Sequence, residues 1–298
     1  MGLAEYGMAF QMPKRHSSRP SRQVPGQTRR PEKPAGPQSA IREASGIKTL
    51  DRVVEIVNSF TLEAPSWTLA ELSGYLGIPK PSLHRLLVAL ERCGIVIHGT
   101  EDGLWRLGYR LFVWGNLVPR ITGLQHIARP IVRWLSEATE ETAILTVYDR
   151  KAVVCIDKVE SSHAVRLTLD IGSRRPAHAG ASSKILAAFL PQAELGVILR
   201  EEGLPRLNIN TITDPTRLAQ ELETIRTNGF ALSYEETDAG AWGVAVPIMD
   251  GHAQVVAAIG VAGPIMRHSN DIAMRYVDLC RRAATDIAQI LSGRTLAG

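Results

Sequence analysis

Apolar residues first recur with a helical period at Leu50, Val53, Val54 and Val57, spaced i, i+3, i+4 and i+7 on one face. Eleven residues on, Thr68 and Glu71 have the spacing of a capping box, in which hydroxyl and carboxylate each satisfy an orphan amide at a helix start. That helix runs through Leu72 and Leu76 and stops at Gly77, and a second begins around Pro79 to Ser82 and ends at Gly94. On a helical wheel Leu83, Leu86, Leu87 and Leu90 gather on one side of the second helix. Pro81, His84, Arg85 and Val88 gather on the other, with Lys80 and Ser82 in the first turn. Two short helices around a glycine turn predict a helix-turn-helix. The run Ile95–His98, the turn 99–103 and the run Leu104–Leu107 then predict a two-stranded wing.

From Gly108 the helical period returns, with one stripe at Leu111, Trp114, Leu117 and Val118 and another at Ile127, Ile131, Leu135 and Ala138. Strand-like runs lie at 143–148, 152–159, 164–170, 230–234, 242–248 and 255–261, with turns at 149–151 and 250–253. Helical runs lie at 182–190, 192–201, 215–228 and 271–291. This mixed order predicts a two-domain α+β chain: a tail over 1–44, a mainly α winged helix-turn-helix over 45–108, a linker helix over 109–124 and an α/β sheet domain over 125–298.

Composition adds bounds. The 298 residues, 45% hydrophobic and 21% charged, fit one large domain or two unequal ones at roughly 100–200 residues each. The net charge of +4 is unevenly placed. Residues 1–44 hold eight Lys/Arg against three Asp/Glu, residues 45–108 six against seven, and the remainder balances. The basic excess therefore sits in a proline-rich, aperiodic tail that reads as disordered, either a sequence-independent phosphate contact or a solvated leader. The slightly acidic winged segment leaves two function classes open, a DNA reader and an interaction module without DNA binding.

Cys93, Cys155 and Cys280 form no CxxC pair and fit a reducing, cytoplasmic setting. No apolar run approaches the ~18 residues of a membrane span, and no secretory leader stands at the N-terminus, so no membrane partner is expected. Nucleotide-loop, zincin and nucleophile-elbow motifs are missing. His178 stands near Ser182 and Ser183 without a third orienting group, so neither catalysis nor a cofactor or metal is expected. The adjacent carboxylates Glu235 and Glu236 point to opposite sides of a strand and read as structural.

The run LGIPKPSLHRLLVALERCGI over 76–95 resembles the recognition helix of the isocitrate lyase regulator (IclR) family of bacterial transcription factors. WRLGYRL at 105–111, HAGASSKILA at 178–187, GFALSYEE at 229–236, GVAVPI at 243–248 and GVAGP at 260–264 resemble, in order and spacing, its wing exit, effector-domain loop and last strands. The resemblance covers about residues 46–292. It implies a winged helix-turn-helix bound to double-stranded DNA at a palindromic operator, a linker helix, and a GAF-like effector-binding domain that takes a small molecule. It further implies a homodimer or homotetramer and regulation by population shift between arrangements of the reading heads. The DNA-binding candidates are Thr68, Lys80, Pro81, Ser82, His84 and Arg85, with Arg85 the first choice for a guanine or phosphate.

In family members that bind small organic acids, the carboxylate meets backbone amides at the positions matched here by Ala181 and Ser182. The remaining ligand positions match Ser233, Gly243, Gly260 and Ala262. Three of those four lack a polar side chain, a departure that favours an aromatic or apolar-bodied effector over a very small acid. Tyr234 and Trp242 flank these positions as either a stacking face or core packing, and Trp114 reads as either a dimer contact or packing against the wing.

Overall fold

The computed structural model describes residues 47–167 and 169–293, and in 119–122 the backbone alone. The expected tail over 1–44 lies outside the described residues.

The first domain is built from α1 (Lys48–Asn58), β1 (Ser66–Trp67), α2 (Leu69–Leu76), α3 (Lys80–Arg92), β2 (Val96–His98) and β3 (Trp105–Leu107). The strands form one antiparallel sheet in the order β1-β3-β2; β1 was not legible as a strand. The capping box forms: the Glu71 amide donates to Thr68 Oγ1 and the Thr68 amide to Glu71 Oε2. Gly77 ends α2 in the left-handed region at φ 68°, where a side chain would be strained. Pro81 costs α3 nothing, because the first-turn amides have no intrahelical acceptor. Leu83, Leu87 and Leu90 of α3 sink into a core with Ile56, Leu72, Val96, Trp67 and Trp105, at about 1.5–3 kcal/mol per buried leucine. Val88, expected on the outer face of α3, instead packs partly against this core.

Gly108 makes the junction to the next helix possible. A Cβ there would lie 2.3 Å from the Gly94 carbonyl oxygen, and the Gly108 amide donates to Ile95 O. Helix α4 (Tyr109–Thr122) follows, tied back to the C-terminal end of α3 by Arg110 Nη1 donating to Cys93 O at 2.8 Å. Gly123, at φ 66°, separates it from α5 (Leu124–Thr139).

The second domain is a six-stranded antiparallel sheet of β4 (Thr142–Asp149), β5 (Ala152–Val159), β6 (Arg174–Pro176), β7 (Ala231–Tyr234), β8 (Ala241–Met249) and β9 (Val255–Pro264), in the order β6-β5-β4-β9-β8-β7. One face carries α5 and the long α9 (Asn270–Leu291). The other carries α6 (Ala181–Ala188) and α8 (Pro215–Asn228), with α7 (Gln192–Glu201) beside them. Strand alternation assigns the faces. Trp242, Val244, Val246 and Ile248 of β8, with Ala257, Ile259 and Val261 of β9, face α5 and α9, while Ala245 and Ala258 face α6.

Among the described residues of 164–170, where a strand was expected, none forms. Leu167 and Leu169 alternate because both line a cavity, not because the segment pairs with a strand. A turn follows, with the Ser173 amide donating to Asp170 O, and pairing resumes at β6. No helix among the described residues is long and apolar enough to cross a membrane.

Candidate functional site

Two surfaces carry chemistry. The first is the outer face of α3. Lys80, Pro81, His84 and Arg85 are exposed along it and Ser82 is half-buried. Neither Lys80 nor Arg85 enters an ion pair among the described residues, so both cations remain available for phosphates or base acceptors. His84 meets Trp105 of the wing edge-on at 6.4 Å, and His98 stacks on the same indole at 4.4 Å. The wing therefore braces the reading helix. Thr68 stands apart from this set: its hydroxyl is spent on Glu71, accepting from the amide and donating to the carboxylate at 2.7 Å. Its place in the structure is that of a helix cap.

The wing tip is self-neutralised. Arg106 Nη2 donates to Asp102 Oδ2 at 2.5 Å, and the Leu104 amide donates to Oδ1. Arg106 first, and that amide second, hold the Asp102 carboxyl down to about 2. A guanidinium in the wing would ordinarily suit a phosphate, but this one already has a carboxylate.

The second surface is a cavity of about 110 Å³ between the first turn of α6 and strands β4, β5, β8 and β9. Ala181, Ser182, Ser233, Gly243, Gly260 and Ala262, which the sequence grouped, all line it. Its walls are mostly apolar, with Ile144, Val153, Cys155, Leu167 and Leu169 opposite the helix start. Burial pushes the Cys155 thiol up to about 11. Gly180, the N-cap of α6, offers no side-chain cap, so the amides of Ala181, Ser182 and Ser183 lack intrahelical acceptors at the positive end of the helix dipole. Gly260 has to be glycine, since a Cβ there would sit 2.2 Å from the Val244 carbonyl oxygen.

The rings of Tyr234 and Trp242 both pack on His268. Trp242 borders the cavity, but its ring stacks on Tyr276 at 5.7 Å and meets His268 edge-on at 4.8 Å, within the core beneath α9. Tyr234, on the edge strand β7, meets His268 edge-on at 4.9 Å and does not line the cavity. The reason is the pleat: Ser233 and Gly243 pair across β7 and β8 on the cavity face, so their neighbours point away. Trp114 is half-exposed under the Arg110 guanidinium and is not part of the winged-domain core.

A buried charge network sits behind the α6 turn. Lys184 is 1% exposed, and its Nζ donates to Glu236 Oε1 and Glu221 Oε1, both at 2.6 Å, and to Leu232 O at 2.8 Å. Glu236 Oε2 accepts the Gly180 amide at 2.9 Å, which fixes the turn from which the uncapped amides project. Glu235 faces elsewhere and accepts the Gly240 amide, so the two adjacent carboxylates do serve separate structural ends. His178 donates from Nε2 to Pro205 O, and burial lowers its pKa. Lys184 was not singled out in the sequence. A lysine at a helix position flanked by Ser183 and Ile185 reads as solvated until its two carboxylates, 37 and 52 residues away, are folded onto it.

Residues 49–97 match the family model of the IclR helix-turn-helix domain, and residues 120–289 match that of the bacterial transcriptional regulator IclR C-terminal domain. The chain is 32% identical over 269 residues to the HTH-type transcriptional regulator BhcR of Paracoccus denitrificans, covering 90% of this chain and 96% of that protein. It is 30% identical over 261 residues to the transcriptional repressor IclR of Escherichia coli, covering 86% and 95%. Among solved structures, an IclR homolog from Microbacterium hydrocarbonoxydans complexed with 4-hydroxybenzoate aligns with a TM-score of 0.72 at 26% identity, over 82% of this chain and 99% of that one. The helix-turn-helix match and the C-terminal match follow one another along a single chain, the first over the domain that carries α3 and the second over the domain that carries the cavity, and the chain belongs to the IclR family of bacterial transcriptional regulators.

Proposed function

We propose that this transcriptional regulator binds a palindromic operator as a homodimer or homotetramer, acts as a cytoplasmic repressor, and is gated by a carboxylate with an aromatic or apolar body held in the cavity beside α6. The observation that carries the reading is the pairing of three uncapped helix amides with largely apolar walls. Such amides favour an anion, and such walls favour an apolar body over water. In this reading the Ala181 and Ser182 amides hold the carboxylate, Ser233 offers the side-chain hydroxyl, and Gly243, Gly260 and Ala262 leave room. The 4-hydroxybenzoate held by the Microbacterium homolog belongs to the same chemical class.

On the DNA side, Arg85, His84, Lys80 and Ser82 would meet base edges and phosphates in a major groove, with Pro81 setting the helix start and Thr68 acting through its cap. The domain partition is 45–108 for reading, 109–124 for linkage and 125–298 for sensing. Exposed apolar residues on α4, Trp114 among them, would join two copies.

The test is a thermal-shift titration with benzoate, 4-hydroxybenzoate and pyruvate, run beside a gel-shift assay on the promoter of a neighbouring gene. At 100-fold its Kd, a ligand stabilises by about 2.7 kcal/mol, worth several degrees in Tm. A shift with an aromatic acid that also changes promoter binding is expected. A shift with pyruvate alone would reject the apolar-bodied reading, and promoter binding indifferent to every acid would reject gating by this class.

A further inference from the structure

Among the described residues lining the α6 cavity, Arg175 and Asp238 are the charged ones. Arg175 lies on β6, directly across from Val153 of β5, which also lines the cavity, so its side chain leaves the sheet on the cavity side. Its neighbour Arg174 leaves on the other side and is held by Asp149. Asp238 lies in the loop between β7 and β8. That loop is braced internally: the Ala241 amide donates to Asp238 O, the Gly240 amide to Glu235 Oε1 and the Glu235 amide to Ala241 O. Arg175 Nη1 and Asp238 Oδ2 stand 3.2 Å apart, with side chains 28% and 49% exposed.

The strand order makes this pair unusual in its placement. β6 and β7 are the two opposite edges of the six-stranded sheet. One ion pair, half in solvent, therefore links edge strand β6 to the loop that leaves edge strand β7, where both border the cavity. Thr237, beside Asp238, packs on the α6 turn, its Cγ2 only 3.3 Å from where a Gly180 Cβ would stand. Opening the loop would uncover the uncapped amides along with the apolar wall.

We propose that the Arg175–Asp238 pair is the latch of this cavity, controlling how readily a small molecule reaches the α6 amides. Its meaning for regulation rests on the cavity being the effector chamber; the latch itself needs no effector to be tested. Closed, the pair spans the rim. Open, Arg175 presents a free guanidinium to an incoming anion, so carboxylates are drawn to the same gap that admits them. A pair this exposed holds weakly and yields to salt, which suits a rim that must open for exchange.

The chain carries its own reporters. Cys155 lines the cavity and is buried, Cys280 is buried in the core beneath α9, and Cys93 is exposed. The full-length protein is treated with methyl methanethiosulfonate at fixed pH. Each thiolate attacks the reagent's sulfenyl sulfur to give a mixed disulfide and methanesulfinate, and mass spectrometry follows each site. Asp238→Asn and Arg175→Gln should each speed Cys155 labelling about two- to fivefold, the scale an exposed ion pair supports. The double variant should be no faster than the singles, with Cys93 and Cys280 unchanged. In the unaltered chain, salt near 1 M, where the Debye length is about 3 Å, should speed Cys155 alone. If both variants unfold, this salt arm decides by itself. Unchanged Cys155 labelling overturns the latch, as does Cys155 rising only in step with Cys280. A latch that behaves as expected in a protein that binds no aromatic acid would leave the latch standing and remove the effector reading.

Discussion

Lys184 is the largest fully buried side chain among the described residues, and it carries a charge. A buried ammonium persists only when its donors are matched, and here two carboxylates and a carbonyl take them. Removing one partner of such a group exposes the full desolvation cost of the rest. Lys184→Met is expected to destabilise by about 3–5 kcal/mol in urea unfolding, and Lys184→Met with Glu236→Gln by less than the sum of the two single changes. Additive costs would mean that the network is not a unit. His178 gives a pH signature. Burial lowers its folded pKa beneath the ordinary 6.5, so the folded state binds fewer protons than the unfolded state between those two values. Its contribution is thus fully present above pH 6.5 and is lost as pH falls through the folded value. Stability measured from pH 8 downward should decline through this window, and His178→Gln should flatten that part of the decline. An unaltered slope in the variant would assign the decline to other groups.

At the scale of the element, the reading head combines an available helix with an occupied wing. Arg85→Ala should weaken specific DNA binding by about 1–3 kcal/mol without changing the mass measured by light scattering, because the side chain is exposed. Asp102→Ala should do the reverse of a usual wing lesion. It frees Arg106 for phosphate, so the dependence of log K on log salt should steepen by about one contact and non-specific affinity should rise. An unchanged salt slope would mean that the wing stays clear of the backbone. The same elements mark how far the sequence was legible. Helices over 192–201 and 215–228 were readable to the residue, because Pro191, Asp214 and Gly229 carry their own start and stop chemistry. The segment 164–170 was not, since a leucine alternation facing a cavity and one facing a core look alike in one dimension. Face assignment followed the same limit. Ser233, Gly243, Gly260 and Ala262 line one cavity, whereas Tyr234, adjacent in sequence, lies outside it and Trp242, at its border, also belongs to the core beneath α9. The Arg175–Asp238 and Lys184–Glu236 contacts depend on sheet curvature and helix docking, which no local pattern carries.

For the whole molecule, the exposed apolar stripe of α4 is the feature a lone chain in water explains least. Tyr109 is 82% exposed, Phe112 70% and Val113 57%, with Trp114 and Leu117 each near half. A contiguous patch of this kind marks an interaction surface, and the stripe lies on the helix that joins the reading head to the sensor. A second copy would cover it in a self-complementary way, since a two-fold interface uses the same patch twice. Two reading heads on one operator gain avidity, because the second half-site is met at the effective concentration set by the linkage. Replacing Phe112 with Glu should therefore do two things together. It should lower the mass measured by light scattering towards that of one chain, and it should reduce operator affinity by far more than the isolated head's contacts would suggest, typically 10²-fold or more. The thermal transition of the sheet domain should stay in place, as Phe112 contributes to neither of its cores. If the mass holds and operator affinity does not change, copies join elsewhere, and the α4 stripe must be covered by another surface. If the mass falls and affinity is kept, one reading head suffices, and the palindromic operator would have to be abandoned with it.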